Sequence, residues 1–268
     1  VALKTGSDGF QTRDYAPMTV SDAVKATREC LQERMDEQGY LYFKNLLPVD
    51  LVQALRTAIT DVLVRHGAIL SGAKQDAAIS SVMPFREGED AFFAVYDEVI
   101  KLEELYALAH EPALLNVMQT VLGETAFPHP LSIVRLVFPE NPEVTTPPHQ
   151  DFPNNQGSES LTASWIPLGD CPGEMGGLAV LEGSHKFGVL PLKTHLGAGN
   201  RQADLDTLDK TENRWVTTDY SIGDVLLFGA LTVHEARVNQ HPNHMRLSVD
   251  FRYQIEDEQM TPICLEPH

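Results

Sequence analysis

The sequence predicts a mainly β protein, a barrel or sandwich with α-helices packed outside it. Three observations carry that expectation. From Pro128 onward, short apolar runs follow one another closely, broken by Pro, Gly and Asn turns. Residues of about 20–125 instead place apolar side chains at helical spacing. Near the end, Arg246-Leu247-Ser248-Val249-Asp250-Phe251-Arg252-Tyr253 alternates strictly between polar and apolar, the period of a strand. Helices followed by many strands pack as separate layers around a shared core.

The chain has 268 residues, enough for one large domain or two small ones with a sizeable core. Its 43% hydrophobic and 22% charged residues are ordinary for a globular protein. The net charge of −18, 20 basic against 38 acidic residues, argues against nucleic acid and anionic membrane as general partners. Cys30, Cys171 and Cys264 are odd in number and widely spaced, which fits reduced thiols, and the cytoplasm is the expected location. No apolar run is long enough to span a bilayer, no signal peptide is visible, and a chain starting at Val1 leaves room for a removed leader.

Residues 1–20 read as an irregular arm with Gly6, Gly9 and Pro17. Ser21-Asp22 is expected to cap a first helix, ended by Gly39. Tyr40-Leu41-Tyr42-Phe43 reads as a short strand, and Pro48-Val49-Asp50 opens a second helix carrying Leu51, Leu55, Ile59, Val62 and Leu63. Around Gly67–Phe93 the pattern is lost among Gly72, Pro84 and Gly88, so a long loop near a site is expected, with Phe92, Phe93 and Tyr96 as candidates to line a pocket. Tyr96–Leu122 reads as helical, interrupted at Pro112 and stopped by Gly123. Strands are then expected at Leu131–Phe138, Leu161–Leu168, Gly176–Leu181 and just after Gly223-Asp224.

Pro147-Pro148-His149-Gln150-Asp151-Phe152 is the chemically suggestive stretch. In an extended strand His149 and Asp151 point the same way and Gln150 the other. One imidazole and one carboxylate make two thirds of a 2-His-1-carboxylate set, which fills one face of an octahedron around non-haem Fe(II) and leaves three positions open. Taken alone, the triplet is better read as a strand-end His and Asp hydrogen-bonding a turn. His234 follows the apolar strand that opens at Gly223-Asp224. The polar face of Arg246–Arg252 is either a solvated edge or the lining of a barrel cavity. As a lining, Arg246 offers a guanidinium fork for a carboxylate with Ser248 beside it. Arg135, in the strand Leu131–Phe138, is either a structural ion-pair partner or a carboxylate anchor for cosubstrate or substrate.

A resemblance now adds to these readings. Trp165-Ile166-Pro167-Leu168-Gly169-Asp170 and the run from Glu174 to His185, with Gly176-Gly177 and Gly183-Ser184-His185, resemble the middle of the phytanoyl-CoA dioxygenase-like family of Fe(II)- and 2-oxoglutarate-dependent oxygenases. Gln38–Pro48 resembles the family's opening strand and helix start, and Gly223–Phe228, His234 and Asn239 resemble its closing motif. The resemblance runs from about Met35 to Tyr253. It implies a double-stranded β-helix, or jelly roll, in one oxygenase domain over 1–268, with a helical part of about 20–125 and a core of about 128–255. It implies His149, Asp151 and His234 on the metal, Arg246 on the distal carboxylate of 2-oxoglutarate, and Trp165 lining the cosubstrate site or serving as a core aromatic. His185 is not a ligand in that pattern. Ala236 departs from it, since relatives often carry Ser there, and Ser248 is the candidate to supply the missing hydroxyl. A carboxylate at Asp151, where related halogenases have a small residue, points to hydroxylation or another oxidative outcome.

The implied activity is a dioxygenase that uses Fe(II), 2-oxoglutarate and O2 to hydroxylate an unactivated C–H of a small molecule, releasing succinate and CO2. If Arg246 is not the carboxylate anchor, Arg252 or Arg135 is next in line. Two other classes share the same His and Asp types: a non-redox cupin-like enzyme holding Zn or Mn, and a catalytically silent binding protein.

Overall fold

The computed structural model describes residues 13–70, 78–80, 85, 89–142, 145–194, 201–208 and 214–267. Gly6, Gly9, Gly72, Pro84 and Gly88 of the expected arm and loop lie outside the described residues.

The N-terminal half is built as its apolar spacing requires. Two short strands, β1 (Ala16–Pro17) and β2 (Val20–Ser21), precede helix α1 (Arg28–Gln38). The cap of α1 is Thr27, whose hydroxyl accepts from Cys30 N, and not Ser21-Asp22. Asp22 spends its carboxylate on a local turn instead, accepting from Val24 N and Lys25 N, while Ser21 pairs in β2. Gly39 ends α1 in the left-handed region and leads into β3 (Tyr40–Phe43). Helix α2 (Val49–Arg65) buries Val52, Leu55, Ile59, Val62 and Leu63. Helix α3 spans Asp90–Val99, so Phe92 and Phe93 are helical and not in a loop. Helices α4 (Glu103–Ala109) and α5 (Pro112–Val121) follow, with Pro112 in the first turn, where its missing N–H costs nothing.

Strand β4 (Ala126–Val137) is longer than the apolar run suggested and includes Pro128 and Pro130. Prolines are tolerated because β4 is an edge strand. After a short helix α6 (Phe152–Asn155) come β5 (Thr162–Pro167), β6 (Leu178–Leu181), β7 (Leu192–Thr194), β8 (Arg201–Ala203), β9 (Trp215–Thr217), β10 (Val225–Gly229), β11 (His234–Ala236) and β12 (Arg246–Ile255). They form a six-stranded sheet ordered β2-β3-β10-β5-β12-β4 and a four-stranded sheet ordered β1-β9-β6-β11, with β7 and β8 as a separate hairpin. Pairing is antiparallel except for β1 with β9 and β2 with β3. The fold is the jelly roll with flanking helices that the sequence led us to expect.

Period-two patterning assigns each strand face. Leu41, Phe43, Val225, Leu227, Leu247, Val249, Phe251 and Tyr253 join the core shared with α2–α5. Tyr40, Tyr42, Trp165, Val180, Val216, Leu226 and Phe228 turn the other way and fill the space between the sheets. On β12 the second face is polar: Arg246, Ser248, Asp250 and Arg252 are all buried, so the solvated-edge reading of this strand is wrong. Strand β12 lies between β5 and β4.

Asp224 ties the start of β10 to the end of β3. Its carboxylate accepts from Tyr42 Oη at 2.6 Å, Ser221 N at 2.9 Å and Asn45 N at 2.9 Å. Gly223 approaches it at φ +92°, where a Cβ would also meet Leu47 O at 2.9 Å. Asp224→Ala leaves three buried or half-buried donors without an acceptor and is expected to lower unfolding free energy by about 3 kcal/mol. Tyr42→Phe should cost about 1–2 kcal/mol, both read from urea denaturation.

Candidate metal centre

His149 and His234 are brought together by their own backbones. His149 N donates to His234 O and His234 N to His149 O, each at 3.0 Å, an isolated antiparallel pair beyond the regular ladder. Residues directly opposite in such a pair present their side chains on one face, and the two rings lie with centroids 4.2 Å apart. His234 in turn opens β11, which pairs with Val180 of β6. The Gly183-Ser184-His185 turn braces that junction: Ser184 Oγ accepts from Val233 N, while His185 bonds Asp36 O on α1.

Asp151 reaches the same point by a different route from the one the alternation suggested. Its backbone is helical, φ −70° and ψ −36°, at the cap of α6. The chain turns after Gln150, and this turn, rather than strand geometry, aims the carboxylate at the imidazoles. Gln150 does point away. It donates to Gly188 O and Leu231 O and accepts from Leu190 N, joining three loops around the site. The β7–β8 hairpin covers the same side, with Ala203 N bonded to Pro148 O and Gln202 bridged to His149.

His149, Asp151 and His234 form a group of potential metal donors whose ligand atoms lie within 4.8 Å of one another, the only such group among the described residues. Each imidazole Nδ1 bonds a carbonyl two residues earlier, Pro147 O at 2.9 Å and Thr232 O at 3.1 Å. A carbonyl only accepts, so Nδ1 carries the proton and Nε2 presents a lone pair. Burial, reinforced by the neighbouring His234, pushes the His149 pKa down to about 3, and burial lowers that of His234 as well. Burial alone would raise Asp151, but the Arg252 guanidinium and the two histidines outweigh it and hold the carboxyl down to about 2. Both Nε2 atoms lie 3.8 Å from Asp151 Oδ1. With neutral rings these contacts are not ion pairs. Two ligands at about 2.1 Å from an ion and at right angles are about 3 Å apart, so a sub-ångström shift at each atom closes the set on a divalent cation. Neutral nitrogen donors with one ionised oxygen fit Fe(II).

The other sequence candidates lie on β4, β5, β11, β12 and α3. Arg246 is buried, and its Nε and Nη1 have no hydrogen-bond partner among the described residues. Its guanidinium sits 5.8 Å from the Trp165 ring. Trp165 Nε1 donates to Ser248 Oγ at 3.1 Å, and Trp165 packs edge-on to Tyr220 in the core between the sheets, so it is a core aromatic that also touches the polar face. Arg135, opposite Ser248 in the β4–β12 register, is an ion-pair partner, its Nε 3.2 Å from Asp250 Oδ2. Ala236 is buried on β11. Phe92 and Tyr96 stack on each other, and the Tyr96 hydroxyl accepts from Val134 N, so Tyr96 packs with the helices on the outer side of β4. Phe93 is exposed.

Comparison with known proteins identifies the family. The sequence profile of phytanoyl-CoA dioxygenase (PhyH) matches residues 35–246. The chain belongs to the phytanoyl-CoA dioxygenase family. Among curated relatives, 1-deoxypentalenic acid 11-beta-hydroxylase of Streptomyces exfoliatus is 30% identical over 253 residues, covering 88% of this chain and 86% of that protein. The protein of the same name from Streptomyces arenae is 28% identical over 256 residues, covering 90% and 85%. Among solved structures, SnoK, an alpha-ketoglutarate dependent carbocyclase from nogalamycin biosynthesis, superposes with a TM-score of 0.64 at 23% identity, covering 91% of this chain and 90% of that one. EctD from S. alaskensis superposes with a TM-score of 0.60 at 18% identity, covering 94% and 86%. Members of this family are Fe(II)- and 2-oxoglutarate-dependent oxygenases. The chain is thus an enzyme of the hydroxylase class, working with Fe(II), 2-oxoglutarate and O2. No helix among the described residues is long and apolar enough to cross a membrane.

Sequence reading did not single out Gln150 as a joint between loops, since nothing local marks a glutamine that bonds three distant backbones. Gln150→Ala is expected to lower unfolding free energy by about 2–3 kcal/mol, read by chemical denaturation, because two half-buried carbonyls and one buried amide lose their partner.

Proposed function

We propose that His149, Asp151 and His234 are the Fe(II) ligands, that Arg246 and Ser248 hold 2-oxoglutarate, and that the enzyme hydroxylates an unactivated C–H of a small molecule. One domain spanning the chain performs this work. The observation that carries the reading is the convergence of two Nε2 lone pairs and one carboxylate oxygen, with a buried guanidinium bearing unpartnered N–H groups on the same β12 face whose Arg252 bonds that carboxylate. Such a cation is costly unless an anion reaches it. When bound, the iron supplies the oxidative chemistry that joins O2 to the conversion of 2-oxoglutarate into succinate and CO2 and of substrate C–H into C–OH.

The chain's own residues bind and orient. Arg246 offers its unpartnered N–H groups to the distal carboxylate as charge-assisted donors. Ser248 Oγ already accepts from Trp165, so its own O–H is left to donate to the same carboxylate. That contact stands in for the hydroxyl missing at Ala236. Trp165 shields the pair from water and strengthens it. Arg135 and Arg252 are engaged by Asp250 and Asp151, which supports Arg246 as the anchor.

The same face of β4 carries Ile133, Arg135 and Val137, half-buried and opposite Asp250, Ser248 and Arg246. We assign this strip to one wall of the substrate pocket. Its two aliphatic residues favour a largely hydrocarbon molecule, in keeping with the hydroxylase relatives named for deoxypentalenic acid. Three free cysteines support a reducing compartment, the cytoplasm.

Anaerobic addition of Fe(II) and then 2-oxoglutarate should give a visible charge-transfer band, and admitting air should give succinate. Tight Zn binding without the band would favour non-redox chemistry instead. His149→Ala, Asp151→Ala and His234→Ala are each expected to abolish succinate formation, and a wild-type rate in any of them would refute the ligand set. Arg246→Ala should weaken 2-oxoglutarate binding by about 2–5 kcal/mol. An unchanged apparent affinity would move the anchor to another residue.

A further inference from the structure

Arg252 is the least expected charge in the barrel. It is 3% exposed, and Nη2 donates to Asp151 Oδ2 at 3.0 Å. Its Nε and Nη1 have no partner among the described residues. A guanidinium with five donors is usually shared among several acceptors. Here the one acceptor among the described residues is the carboxylate that faces the two imidazoles.

The backbone is shaped to deliver this contact. The β12–β4 register runs without interruption from Arg246 to Phe251, after which His129 to Leu131 of β4 lie opposite the single residue Arg252. The extra residues lie on β4, so β12 keeps its alternation and Arg252 stays on the face of Arg246, Ser248 and Asp250. On the other edge Arg252 stays in register with Ala163 of β5, so the strand holding it remains anchored.

The two oxygens of Asp151 are thereby divided. Oδ1 lies 3.8 Å from both His Nε2 atoms, and Oδ2 is held by Arg252. The distinction matters for the coordination count. Three protein donors leave three octahedral positions, two for the keto acid and one for O2. A carboxylate free to rotate and chelate through both oxygens would fill a fourth. We propose that Arg252 is a positioning residue that confines Asp151 to a single oxygen donor and so keeps open the position that O2 needs. This inference rests on the proposed ligand set. It separates the two arginines of β12 by role: Arg246 faces the cosubstrate, Arg252 faces a ligand.

Two variants test it. Arg252→Met keeps most of the length and removes every donor. Arg252→Lys keeps the charge but loses the planar fork. Folding is checked by thermal unfolding, and Co(II) and Fe(II) affinities are measured anaerobically by calorimetry. Nitric oxide, a stand-in for O2, is then added to the Fe(II)–2-oxoglutarate form, and its S = 3/2 electron paramagnetic resonance signal is titrated. Arg252→Met should bind metal about 10–100-fold more weakly. At saturating metal it should need several-fold more nitric oxide for half its signal. Arg252→Lys should recover metal affinity better than nitric oxide affinity, because charge alone does not fix the carboxylate's rotation. Wild-type metal and nitric oxide affinities in Arg252→Met would overturn the proposal. If only the lysine variant folds, wild-type nitric oxide affinity there would overturn it equally. Failure of the wild-type protein to bind Co(II) or Fe(II) would instead overturn the ligand set itself.

Discussion

Arg246, Asp250 and Arg252 are buried on one face of a single central strand, and the rest of the site answers to that constraint. Removing a charge from water costs several kcal/mol unless a counter-charge or hydrogen bonds offset it. Each charge on β12 is met differently. Asp250 is met by Arg135 across the β4 ladder, and Arg252 by Asp151 from the loop after Gln150. Arg246 keeps two unpartnered donors. The apolar face of the same strand, Leu247, Val249, Phe251 and Tyr253, packs into the largest core cluster and fixes the register that makes these pairings possible.

The imidazoles use a simpler device. Both have their proton placed on Nδ1 by a carbonyl two residues earlier, so the tautomer is set within a tripeptide and requires no further carboxylate. The mutual backbone pair then sets the distance between the rings. Orientation of the two nitrogen donors is thus local, whereas orientation of the carboxylate depends on Arg252, which is 101 positions away in the chain. Substitutions in β12 therefore act on both halves of the site.

Much of this was legible in the sequence, for identifiable reasons. The alternation from Arg246 to Tyr253 placed four polar side chains on one face, because a strand has no other way to accommodate that pattern. His149 and Asp151 could be paired from residue type and spacing, and the family resemblance added His234. The geometry joining His149 to Asp151 could not, since the helical turn at Asp151 comes from the cap of α6 and not from any periodicity. The start of α1 was misread for a related reason: Asp22 has cap chemistry but uses it on its own turn, leaving Thr27 to begin the helix. Strand β4 ran past its apolar stretch because an edge strand tolerates prolines that a central one would not. The pairing of Arg135 with Asp250, one of two readings open beforehand, is decided by cross-strand register, which no local pattern contains.

The site also inverts the electrostatics of the chain that carries it. The whole protein bears a net charge of −18, yet the polar interior holds Arg135, Arg246 and Arg252 against the carboxylates of Asp151 and Asp250, with both imidazoles held neutral. Two of the three guanidiniums are matched by carboxylates, so the excess positive charge falls on Arg246. A divalent cation and a dicarboxylate together bring no net charge, so loading the site leaves this balance unchanged while giving each component a partner of opposite sign. An acidic exterior does not oppose an anionic cosubstrate in such a site: at physiological ionic strength the screening length is about 8 Å. Surface carboxylates are damped over that distance, and the buried arginines, in a medium of lower dielectric, dominate the potential at the point of binding.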